Sequence, residues 1–165
     1  MAELTQLESK LAEVLGLAQA AKGATEKVRR MLDDGESPIA ERLERMGAEA
    51  EETAERCTEV AGRFDGKKTA ILDEARSVKQ DATEMMETYL EGEDEALDGF
   101  EWLTMAEAGE VGHWRILQTM NERARNEDIA RLAEWAIPMQ EIHFQEVTDT
   151  ALELAAEEDP DEPAG

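Results

Sequence analysis

Residues 95–156 read EALDGFEWLTMAEAGEVGHWRILQTMNERARNEDIARLAEWAIPMQEIHFQEVTDTALELAA, and the spacing of their apolar residues decides the fold. In the first half Leu103, Ala106, Trp114, Leu117 and Met120 recur every three or four residues, the period of one helix face. In the second half Leu132, Ala136, Met139, Val147 and Leu154 do the same, and Asn126-Glu127-Asp128 between them reads as a tight turn. The stretch is therefore two long helices, about Glu95–Arg125 and Asp128–Ala156, folded back on each other. Pro138 lacks an N–H to donate and is expected to interrupt or kink the second of them just before His143.

The same period extends toward the N-terminus. Leu4, Leu7, Leu11, Val14, Leu15, Ala18, Ala21, Val28 and Met31 predict a helix from about Leu4 to Leu32, with Gly23 a weak point in its middle. A turn at residues 33–38 follows, with Ser37 as N-cap and Pro38 at the first helical position. Helix two is predicted over Pro38–Phe64 and a third, shorter one over Lys68–Leu90, with breaks at Asp65-Gly66 and at residues 91–94. Helices one, two, four and five each have about 27 to 31 residues, or ~40 to 46 Å at 1.5 Å per residue. The short third helix is placed to carry the chain back along the other four. The expected architecture is all-α: a four-helix bundle with one additional crossover helix, five helices in total. One domain is expected over residues 1–156, followed by an acidic, Pro-containing, disordered tail at 157–165.

Composition agrees with a helical, water-facing molecule. Apolar residues are 41% and aromatics 4%, and 41 acidic residues stand against 17 basic ones, a net charge of −24. Such a surface repels phosphate backbones and anionic lipid, so neither nucleic acid nor membrane is an expected partner. The acidity fits either a high-salt cytoplasm or an ordinary solvated helical surface. Cys57 is the sole cysteine, set among Ala54, Val60 and Ala61 at helical spacing, and is expected as a small buried hydrophobe. Residues 1–6 are polar and lead directly into a helix, and no apolar run approaches a membrane span. A cytoplasmic location is expected.

Chemistry is concentrated in helices four and five. Glu107 and Glu110 fall inside the apolar sector of helix four, where a carboxylate is costly unless paired or bound to a cation. Glu110 and His113 are one turn apart. In helix five, His143 lies within the apolar stripe with Gln140 on the same face, Glu146 at its edge and Glu141 pointing away. His113 and His143, the only two histidines, are equidistant from the turn near residue 128 and are expected to face each other at one height. Helix one offers Glu8 among Leu4, Leu7 and Leu11. Helix two offers Glu51 only at the border of its core face.

Glu-x-Gly-His-Trp at 110–114 and Pro-x-Gln-Glu-x-His-Phe at 138–144, in two long helices after a crossover, resemble the ferritin-like superfamily. The family's di-iron pattern is a glutamate on each of two helices and Glu-x-x-His on each of the other two. Carried onto this chain, the resemblance places Glu110 and His113 in one such motif, Gln140 and His143 in the other with Gln replacing Glu, and Glu8 as a lone glutamate. It implies Fe, Mn or Zn as cofactor, which histidine with carboxylate also suits, and a role in iron or oxidative-stress handling. The alternative is a non-catalytic helical protein acting by self-association, as a dimer, with the same residues forming a metal-free buried network. Enzymatic activity is left open.

Overall fold

The computed structural model describes residues 2–33, 35 and 37–164. Asp34 and Glu36 of the predicted turn, together with Met1 and Gly165, lie outside the described residues. Among the described residues there are five helices and no strand: α1 (Gln6–Arg30), α2 (Pro38–Ala61), α3 (Lys68–Tyr89), α4 (Ala96–Ala124) and α5 (Glu127–Glu157). α1 passes unbroken through Gly23, and α5 stays helical through Pro138.

The helix ends are set by local chemistry. Thr5 accepts from the Glu8 N–H, and the Glu8 carboxylate accepts from the Thr5 N–H at 2.8 Å, a capping box that satisfies two free donors at once. Ser37 caps α2 ahead of Pro38. The α4–α5 turn is held by two asparagines: Asn121 bonds both the N–H and the carbonyl of Asn126, whose own side chain accepts from the Ile129 N–H. That turn forces Arg125 into the left-handed region at φ 55°.

α1 is the hub, packing on α2, α3 and α4, while α4 packs on α5 and α5 closes onto α2. The ion pairs fix the directions. Arg29–Glu44 sets α2 antiparallel to α1, and Arg45–Glu146 with Arg63–Asp128 sets α5 antiparallel to α2. Ser9 bonds Glu74, and Lys67 lies 3.7 Å from Glu8, so α3 starts beside the start of α1 and runs with it. Close approach there needs Gly16, because a Cβ at that position would lie 2.5 Å from the Ala75 carbonyl oxygen and 2.7 Å from the Val78 Cβ.

Two apolar cores result. One gathers Leu11, Leu15, Cys57, Ile71, Trp114, Leu117 and Ile129, and the other Val28, Leu43, Met46, Phe100, Leu103 and Val147. On α4 the first core reaches down to Trp114 and the second up to Leu103. On α5 the corresponding limits are Ala136 and Val147. Between them lie Glu107, Glu110, Gln140 and His143, a buried polar layer across the waist of the molecule.

Candidate functional site: a buried carboxyl pair beside an apolar groove

The layer is built by two helices and closed by a third. Glu107 and Glu110 are 2% and 3% exposed, and His143 is 1% exposed. His143 Nε2 is 2.7 Å from Glu49 Oε2 on α2, and its Nδ1 is 3.9 Å from Glu107 Oε2 on α4. Burial drives the Glu110 carboxyl well above the ordinary carboxylate range, and the charge on Glu107 pushes it the same way. Glu107 is also raised by burial, but His143 and the hydrogen bond with Glu110 pull it back. Both carboxyls are thus held above the ordinary carboxylate range, Glu110 the further of the two, because neighbouring buried carboxyls resist being charged together. Gln140 lies near enough to ease the ionisation of Glu110, yet neither of its amide atoms has a hydrogen-bond partner. Glu107 Oε2 and Glu110 Oε2 are likewise unpartnered. Cys57 is fully buried, and burial followed by the nearby Glu110 pushes its thiol far up, consistent with the inert hydrophobe expected from sequence.

The two carboxyls line a groove of about 880 Å³ between α3 and α4, floored by α1. Small side chains keep it open: Ala20, Ala21 and Ala24 on the floor, Ala82 on one wall, Ala106 and Gly109 on the other. A Cβ at Gly109 would touch nothing within 4 Å. Met85, Tyr89 and Met105 stand exposed at the rim, and Tyr89 packs against Trp102 with ring centroids 5.6 Å apart. Met105 lies on the groove wall because α3 seats on α1 and leaves α4 uncovered along this edge.

The predicted site residues are thus divided among several places. Arg115 bonds Glu141, two residues beyond His113 and two before His143, so the histidines do share one height. They point apart, however. His143 is buried toward Glu49, while His113 is 37% exposed with Nδ1 3.0 Å from Glu13 Oε2 on α1. Glu8 is engaged at the α1 cap and beside Lys67, some distance in sequence from the layer. Glu146 accepts a bidentate pair from Arg45 at 2.6 and 2.7 Å. Only Glu110, Gln140 and His143 of the predicted set belong to the layer. Sequence reading left out Glu49 and did not count Glu107 as a ligand. Glu49 had a signal in the charge pattern, since Arg45 and Glu49 on α2 are spaced to meet Glu146 and His143 on α5.

These residues, as placed, do not make the donor set of a di-iron centre. Glu8 and Glu146 are engaged elsewhere, and His113 faces a different helix. Among the described residues no three His, Cys, Asp or Glu side chains are grouped to hold a metal ion. No described helix is long and apolar enough to cross a membrane. No family model matches the chain, and neither a curated protein nor a solved structure matches it.

Proposed function

We propose that the chain is a non-enzymatic binding protein on a ferritin-like four-helix frame, with α3 as the crossover, and that it binds a small apolar molecule in the groove between α3 and α4. The order of packing α1–α2–α5–α4, with α3 laid outside on α1, supports that frame. The observation that carries the binding reading is the pair of almost fully buried carboxyls on the wall of an otherwise apolar groove. Evolution of a core alone favours apolar residues here, because each buried carboxyl without full hydrogen bonding is costly. A groove of this volume falls in the range of small-molecule sites, which are mostly apolar with a few convergent polar groups. The dimer expected from sequence belongs to the same proposal, with Ile116, Ile142 and Leu152 as exposed apolar residues available to it.

The test uses a neutral solvatochromic dye, Nile red, with wild type and Gly109→Leu. Leucine at this open helical position fills the groove and improves helix propensity, so the variant folds. Saturable dye binding in wild type that is lost in the variant is expected. Equal binding by both would sink the groove reading. Addition of Fe, Mn or Zn is expected to leave the melting temperature unchanged. A rise of several degrees that His143→Ala removes would return the cluster to the metal-binding reading.

A further inference from the structure

Resting on the groove as a ligand site, we propose that its ligand is an organic cation: a protonated amine carrying an extended apolar body. The lining residues include Asp81, Glu84, Glu107 and Glu110; among the described residues that line it there is neither lysine nor arginine, and its one histidine, His113, already faces Glu13. A bound carboxylate or phosphate would meet four lining carboxyls in a poorly solvated place, with no lysine or arginine beside it and His113 already engaged by Glu13. A neutral molecule could donate to a carboxyl oxygen but would leave the acidic lining without a counter-charge. An ammonium group brings three N–H donors and one positive charge. It can donate to the carboxyls of Glu107 and Glu110 where they line the groove and supply the positive charge that the acidic lining lacks.

The rest of the groove suits the remainder of such a molecule. From Trp102 to His113 the α4 wall spans about 16 Å at the helical rise, long enough for an extended hydrocarbon chain beside the carboxyls. Leu17, Ala20, Ala21 and Ala24 offer it a smooth floor. Methionines at the rim can reshape to fit different bodies, and the Tyr89–Trp102 pair presents ring faces that attract cations and apolar groups alike. The net charge of −24 draws cations toward the protein from solution.

The experiment is calorimetric titration of the full chain with decylamine, decanol and decanoate below their micellar concentrations. Decylamine is expected to bind at least about 10-fold more tightly than decanol, with decanoate weaker than both. Glu107→Gln is expected to erase the advantage of the amine over decanol. Gly109→Leu should remove the amine and the alcohol together, and because it keeps every surface charge it separates groove binding from adsorption to the acidic surface. Decylamine binding no more tightly than decanol to wild type, or keeping its advantage in Glu107→Gln, would overturn the proposal while leaving the groove as a site. Failure of all three probes on wild type would overturn the groove reading itself. If Glu107→Gln does not fold, the ranking of the three probes on wild type decides alone.

Discussion

His143 Nε2 lies 2.7 Å from Glu49 Oε2, joining α5 to α2 at the waist of the molecule where the two apolar cores meet. The imidazole is buried and the carboxylate is 27% exposed, so the contact links the interior polar layer to the surface. On the opposite side of the ring, Glu107 stands within Coulombic range. His143 thus sits between two carboxylates, and its loss would leave Glu49 with Arg45 alone and the buried Glu107 without its neighbouring imidazole.

The two histidines are therefore unequal. His143→Ala is expected to lower stability by about 2–4 kcal/mol, combining a cavity with an unpaired buried carboxylate. His113→Ala, at a half-buried and partly hydrated contact with Glu13, is expected to cost less than about 1 kcal/mol. Urea unfolding of both variants checks this. Equal costs would mean that the polar layer does not depend on His143.

Glu110 makes stability depend on pH. The folded protein holds this proton more tightly than the unfolded chain does, where the carboxyl has its ordinary value near 4.5. Its contribution is whole below that value and is lost as pH rises through the folded one, by up to about 1.4 kcal/mol per pH unit. The groups that act on it are Glu107 on α4, Gln140 on α5 and Cys57 on α2. Glu110→Gln imitates the protonated form, so it should match wild type near pH 4 and exceed it increasingly toward neutrality. Urea midpoints measured across that range would show parallel curves if Glu110 were ionised in the fold.

Helix α3 is held on α1 by one glycine. Gly16→Ala drives a methyl into the Ala75 carbonyl and Val78, so α3 must move, at a cost of about 1–3 kcal/mol. Gly23→Ala in the same helix meets nothing within 4 Å and is expected to stabilise by up to about 1 kcal/mol. Thermal unfolding separates them, and a harmless Gly16→Ala would refute the close approach.

Much of the fold was legible because long helices announce themselves through one period. The five segments, the Ser37 cap and the turn near residue 126 follow from apolar spacing and capping chemistry, which act within a few residues. The site was less legible, because its geometry depends on rotation between helices. The height shared by His113 and His143 follows from counting along a hairpin. Their divergence does not, since both flank the core face and only α1 and α2, packed on different sides, decide which carboxylate each one meets. Glu8 looked like a core carboxylate by spacing, yet the first turn of a helix offers free N–H groups that Thr5 and Glu8 satisfy reciprocally.

The most direct test of the account is methyl NMR of the protein labelled at its methionines, titrated with decylamine. Of eight methionines, Met85, Met86 and Met105 line the groove. The account predicts that these three methyl signals shift together and saturably, that Met120, about 22 Å further along α4 than Met105 at the helical rise, does not, and that Gly109→Leu abolishes the shifts. Shifts spread evenly over all methionines, or concentrated at Met139 on α5 while the groove signals stay fixed, would contradict it.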